Sequence, residues 1–192
     1  MRTDLFNTVL SNLRHVLKLA GPKQCLICDI ETNQMFLCRL LGLGIQICDQ
    51  FIFSYSRAPL CNLENSLGTP LGLHVVCEKI GDGVPVNGEF IARKFTGQII
   101  PLAKSENEKS RITTRILRLQ GMQWGVNRGI DLKTRRFCDT YKRCVYIHGT
   151  NLEKFIPKPL SHGCLCLKTQ DLLRLFQQIK VGDFCLILSH TM

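Results

Sequence analysis

The chain has 192 residues, 45% hydrophobic and 21% charged, which is enough for one domain with its own core and excludes a disordered tail or a coiled coil. Charges, glycines and prolines break every Leu/Ile-rich stretch short of the roughly 20 residues that span a bilayer, so no transmembrane segment is expected. Lys and Arg number 25 against 15 Asp and Glu, a formal net charge of +10, which points to an anionic partner: nucleic acid, an acidic membrane, or an acidic polymer such as cell-wall glycopeptide.

Residues 3 to 20 carry Phe6, Val9, Leu10, Leu13, Val16, Leu17 and Ala20 at helical spacing, with Thr3 as N-cap and Gly21-Pro22 as the stop. Residues 1–23 are therefore read as an amphipathic N-terminal helix and linker packed on the domain. Arg14, His15 and Lys18 interrupt the apolar stretch and no small-residue cleavage site follows it, so it does not read as a secretion signal. From Gln24 the pattern changes to short β-rich runs at 24 to 30, 34 to 40, 50 to 56, 71 to 77, 112 to 119 and 143 to 148. Gly and Pro cluster at 68 to 72 and 81 to 88, and 104 to 110 is a polar surface loop. Near the end Thr169 is placed to cap a helix whose Leu172, Leu173, Leu175, Phe176 and Ile179 face inward, and a last strand runs from Phe184 to Leu188. The expected fold is mainly β with peripheral helices: a domain at 24–188 and a tail at 189–192.

The basic residues are dispersed, with a loose cluster from Lys133 to Arg143, and no aromatic RNA-binding pattern or DNA-reading helix accompanies them. No nucleic-acid partner is expected. Eleven cysteines, at 25, 28, 38, 48, 61, 77, 138, 144, 164, 166 and 185, lie mostly inside apolar runs such as Ile45 to Cys48 and Asp183 to Ile187, a usage that suits reduced thiols acting as small hydrophobes. Cys25 and Cys28 have zinc-ligand spacing, but in a strand i and i+3 point to opposite faces and no second pair completes a site. No metal and no cofactor are expected.

Two segments carry chemistry: Val145-Tyr-Ile-His-Gly-Thr150 and Ser161-His-Gly-Cys-Leu-Cys-Leu167. A cysteine preceded by Gly and His is a candidate nucleophile, because glycine admits close backbone approach and neighbouring N–H groups can converge on an oxyanion. His148 ends a strand-like run with Tyr146 on the same face, and the 154 to 159 loop is long enough to fold His148 back onto Cys164 as its base. The competing reading makes Cys164 buried and inert.

Ser161-His-Gly-Cys164 with the upstream His148-Gly-Thr150 resembles the signature of the L,D-transpeptidase catalytic domain, the YkuD domain. Glu64 to His74, Glu78 to Gly83, Thr114 to Leu119 with Gly125 to Gly129, and Asp171 to Phe176 before Val181-Gly182 are similar to family segments in family order. The resemblance implies a β-sandwich-like catalytic domain whose cysteine attacks the bond between the third residue of a peptidoglycan stem and D-Ala. The resulting acyl group passes to an amine, giving a cross-link between third residues or lipoprotein attachment, or to water. It implies Cys164 as nucleophile, His148 as base, and the Gly149 carbonyl as the group orienting the imidazole. Gly163 and Cys164 N–H groups would hold the oxyanion, and Ser161 and His162 would shape the turn.

Tyr146 would wall the cleft, and Arg115 and Arg128 would hold substrate carboxylates; Arg118 falls on the opposite strand face from Arg115. The expected activity is that of a cysteine acyltransferase in cell-wall biogenesis and cell shape, acting in the periplasm or cell envelope, with a cytoplasmic role left open. An L,D-carboxypeptidase or amidase, a hydrolase on the same scaffold, and a non-catalytic glycopeptide-binding domain are the alternatives. The family usually carries Arg or Asn two residues after the nucleophile, where this chain has Cys166.

Overall fold

The computed structural model describes residues 24–41 and 44–189; the expected N-terminal helix and all but the first residue of the expected tail lie outside them. Ten strands follow in chain order: β1 Gln24–Asp29, β2 Gln34–Leu41, β3 Gly44–Ser54, β4 Gly72–Ile80, β5 Gly88–Ile91, β6 Lys94–Ile99, β7 Ile112–Gly121, β8 Tyr146–Thr150, β9 Leu165–Leu167 and β10 Phe184–Leu188. Helix α1, Thr169–Gln178, links β9 to β10. The strands hydrogen-bond in the order β4-β10-β1-β2-β3-β9-β8-β7-β5-β6, and β4 also pairs with β7. That extra pairing joins the first strand of the order to the eighth, so eight strands close on themselves and lose their free edges. The β5–β6 hairpin remains as an appendage on the first residues of β7, Glu89 opposite Thr113.

Alternation along the strands sorts the side chains onto two faces. Leu26, Cys28, Leu37, Phe51, Phe53, Leu117, Leu119, Ile147, Leu165 and Leu167 point inward and pack with Leu172, Leu175, Phe176 and Ile179 from the helix. The one α-helix among the described residues thus packs its apolar side on the main core. Its start differs from the sequence reading: Lys168 is the N-cap and makes no side-chain cap bond, while Thr169 is the first helical residue. The backbone N–H of Thr169 donates to the Glu153 carboxylate at 2.7 Å, so a distant acid supplies the cap. At the other end Lys79 Nζ donates to the carbonyls of Phe176 and Ile179, a cation at the helix C-terminus.

On the opposite face of β1, β2, β4 and β10 lies a second apolar cluster, Cys25, Ile27, Phe36, Cys38, Leu73 and Phe184. Cys25 and Cys28 therefore sit in different clusters, as a three-residue offset in a strand dictates. Cys48 departs from its apolar surroundings in sequence and is exposed. Strand β7 bulges between Thr113 and Ile116, where Thr114 has φ +70, a left-handed conformation unusual for a β-branched residue. The bulge lies beside β8, opposite the Gly149 and His148 that carry the chemistry.

Candidate functional site

β8 and β9 run parallel, with Ile147 opposite Leu165 and His148 opposite Cys166. Ile147 and Leu165 enter the core, so the intervening positions Tyr146, His148 and Cys166 share the outward face, with Cys164 one pleat before Cys166. Adjacent strands, rather than a loop folding back, bring the histidine and the cysteines to one surface. Loops close over this surface: Ala103, Leu152, Ile156 and Leu160 pack on Cys166, while Phe90 packs with Ile116, Tyr146, Cys144 and Cys164.

His148 is buried, and its Nδ1–H donates to the Gly149 carbonyl at 2.7 Å. A carbonyl only accepts, so this bond fixes the tautomer and leaves the Nε2 lone pair free to take a proton. Nε2 faces Cys166 Sγ at 3.9 Å. Cys164 is engaged elsewhere: its Sγ accepts the Tyr146 N–H at 3.3 Å and its thiol points to the Cys144 carbonyl at 3.7 Å. The thiol that the sequence motif singles out is therefore not the one that the imidazole meets in this resting arrangement.

Burial sets the protonation states. It lowers the His148 pKa to about 4, against the bond to the Gly149 carbonyl, raises the Cys164 thiol to about 12 and pushes the Cys166 thiol well up. At neutral pH the site holds a neutral imidazole and two thiols. Neutral partners at rest favour proton transfer that accompanies attack, as in general-base catalysis.

Position 149 admits only glycine: a Cβ there would lie 2.8 Å from the Thr113 carbonyl oxygen and 3.1 Å from Thr113 Oγ1. Gly163 has φ +125, a backbone shape that glycine adopts at little cost. Its N–H donates to Ser161 Oγ at 3.2 Å, and Ser161 Oγ donates to the Cys164 carbonyl at 2.6 Å, so Ser161 ties the turn that presents Cys164. The Gly163 N–H reaches an oxyanion only by leaving Ser161. His162, between them, is exposed.

Tyr146 borders Cys164, and burial raises its phenol to about 12, so it stays protonated at neutral pH. Its oxygen accepts from Arg93 Nη1 at 3.0 Å, and the same nitrogen lies 3.7 Å from Cys144 Sγ. Arg93 sits at the tip of the β5–β6 hairpin, where Ala92 and Arg93 both have positive φ, the two-residue turn such a hairpin requires. Arg143 stands on the other side, donating to the carbonyls of Cys61 and Gly68 and to Ser66 Oγ, with Gly163 adjacent. Neither guanidinium has a carboxylate partner among the described residues. Sequence reasoning missed both, together with Cys144: Ala92-Arg93 lacks the Asn-Gly wording of its turn type, and nothing local marks Arg143.

The arginines chosen from sequence lie elsewhere. Arg115 donates to the carbonyls of Val84 and Thr114 and braces the 81–88 loop. Arg128 is exposed in the segment between β7 and β8, and no contact brings it to Cys164. Arg118 is buried, pairs with Glu78 at 2.9 Å and stacks on Tyr141. Among the described residues no group of three or more His, Cys, Asp or Glu side chains is placed to hold a metal, and no helix is long and apolar enough to cross a membrane.

The family model of the L,D-transpeptidase catalytic domain, YkuD, matches residues 45–187, from the second residue of β3 to the fourth of β10. Among solved structures, Bd1075 of Bdellovibrio bacteriovorus is similar with a TM-score of 0.54 at 14% identity, over 89% of this chain and 49% of that one. The helical cell shape determining protein Pgp2 of Campylobacter jejuni is similar with a TM-score of 0.54 at 12% identity, over 88% and 48%. The chain thus spans about half the length of these two proteins, and at such identities the likeness is one of fold. No curated protein sequence matches the chain. With its matched stretch running through the histidine and cysteine segments and covering most of its length, the chain belongs to the L,D-transpeptidase catalytic domain family, YkuD.

Proposed function

We propose that the chain is a cysteine-dependent L,D-transpeptidase acting on peptidoglycan stem tetrapeptides at the cell envelope. The observation that carries this reading is the fixed tautomer of His148: the bond to Gly149 leaves a lone pair on Nε2, directed at the strand that bears the thiols. When substrate enters, Cys164 Sγ leaves the Cys144 carbonyl and attacks the carbonyl carbon of the bond to D-Ala, while Nε2 takes the thiol proton. The Cys164 N–H, and the Gly163 N–H once released from Ser161, support the oxyanion. Collapse breaks the C–N bond, the imidazolium returns its proton to the departing D-Ala amine, and a Cys164 thioester remains. An incoming amine attacks the thioester and gives a proton to His148; collapse breaks the C–S bond, His148 passes that proton to the departing Cys164 sulfur, and the acyl group leaves as a new amide. Water in place of the amine makes the reaction a carboxypeptidase one.

Arg93 and Arg143, on either side of the thiol and without carboxylate partners among the described residues, suit the carboxylates of a stem peptide. A second reading, a glycopeptide-binding domain without catalysis, is favoured by one contact, the Cys166 thiol occupying His148 Nε2. Mass spectrometry of a defined disaccharide-tetrapeptide after incubation, with Cys164→Ala as control, decides among them. Loss of D-Ala with a cross-linked dimer establishes transfer, and tripeptide alone establishes hydrolysis. Unchanged tetrapeptide under reducing conditions, with no acylation of Cys164 by a carbapenem, leaves the binding reading.

A further inference from the structure

The segment between β7 and β8 carries a surface that the chemistry does not use. Met122, Trp124, Val126, Ile130, Leu132 and Phe137 are all exposed there, Trp124 to 70% and Leu132 to 69%. All six belong to the single stretch 122–137. The Trp124 indole lies over Gly129, within about 3 Å of where a Cβ would stand, and the Leu132 side chain lies over Gly125 in the same way. Ile130 pairs with Phe137 across a bridge.

Cations share this stretch and its continuation to Lys142. Arg128, Lys133, Arg135, Arg136 and Lys142 are exposed in the same segment, and Lys142 Nζ stands 5.3 Å from the Phe137 ring centre. The two carboxylates of the segment are bonded within it: Asp131 accepts from the Thr134 N–H and hydroxyl, and Asp139 from the Gly129 and Lys142 N–H groups. The segment thus joins exposed positive charge to exposed apolar and aromatic side chains.

We propose that this patch docks the protein on the surface of an anionic phospholipid bilayer. Aliphatic and aromatic side chains on one face enter the boundary between headgroups and acyl chains, while Lys and Arg around them meet lipid phosphates. The aliphatic share, Leu132, Ile130, Val126 and Met122, favours lipid over a glycan strand, which stacks on aromatic rings but gains little from branched alkyl groups. From Asp139 to Cys144 the chain leads straight to the Cys164 site, so docking places the thiol close to the membrane surface. The proposal stands independently of the acyl-transfer reading.

Trp124 is the sole tryptophan of the chain, so its emission reports on this patch without labelling. With phosphatidylglycerol-containing vesicles the emission is expected to shift to the blue and to be quenched by lipids brominated in the acyl chain, with no change on pure phosphatidylcholine and reversal by added salt. The combined Lys133→Gln, Arg135→Gln and Arg136→Gln variant is expected to partition about 100-fold less. Leu132→Ser is expected to weaken partitioning in vesicle sedimentation with an unchanged melting temperature. Absence of a shift with anionic vesicles at low salt, or equal partitioning by the triple variant, overturns the proposal. A Trp124 shift on isolated peptidoglycan sacculi but not on vesicles overturns it in favour of a glycan partner.

Discussion

Two outward strand faces of this barrel carry paired cysteines, and one of them sets an imidazole beside a thiol. On β1 and β2, Cys25 stands opposite Cys38 among Ile27, Phe36, Leu73 and Phe184. The mutual contact of the two thiols and then burial drive the Cys38 pKa far up, and no histidine among the described residues is bonded to either thiol. On β8 and β9, Cys164 and Cys166 are also raised by burial, yet an imidazole with a fixed lone pair lies beside them and Cys164 reaches partial exposure. Burial alone makes a cysteine inert. A neighbouring proton acceptor and an opening to solvent are what distinguish the second face.

The largest expected contrast tests this directly. Cys164→Ala abolishes both tetrapeptide turnover and carbapenem acylation, whereas Cys38→Ala leaves both at the wild-type rate and costs about 1–2 kcal/mol in urea unfolding, as a small core truncation does. His148→Gln keeps a side chain of polar character but removes the base, and kcat is expected to fall by about 10²–10⁴ in the same assay.

Acid sharpens the comparison through stability. His74 on β4 is as deeply buried as His148, its ring bonded to the Gly72 carbonyl and Thr140 Oγ1, and burial lowers it to about 4 as well. Both lie below the 6.5 of an exposed histidine, so the unfolded chain takes up protons first. Their contribution is complete above pH 6.5 and is lost as pH falls towards 4, by up to about 3 kcal/mol for each. Urea unfolding across that range should show the slope, and His148→Gln should remove about half of it. The same depressed value places the acid limb of kcat/KM near pH 4, since the neutral imidazole is the working form.

Smaller effects separate the two thiols of the active face. Cys166→Ala frees Nε2 and is expected to raise the acylation rate severalfold, read by single-turnover mass spectrometry; a fall would make Cys166 part of the working site. Arg93→Gln, at the hairpin tip, is expected to raise KM roughly 3–10-fold for a carboxylate-bearing stem with little change in kcat, and to do nothing for the carboxamide analogue.

What was legible in the sequence is what is local. Short β-rich runs marked six strands and the last one, the glycine before Cys164 marked a close approach of backbone, and the spacing of Cys25 and Cys28 already separated them onto two faces. The helix at 169 was legible from its apolar positions, but its cap was not, because Glu153 comes from another part of the chain. The β5–β6 hairpin escaped because every residue of β6 is exposed and no alternation signals it. The partner of His148 escaped for a different reason. Strand pairing between residues about 18 apart is chosen by how Ile147 and Leu165 enter the core together, and that choice sets Cys166, not Cys164, opposite the imidazole. Residue order thus determined which groups could react and which faces they occupy, since backbone geometry has a fixed period. Closure of the barrel, the charge states of the buried site and the identity of its neighbours were decided only by tertiary packing, because register and burial are properties of the whole assembly of strands.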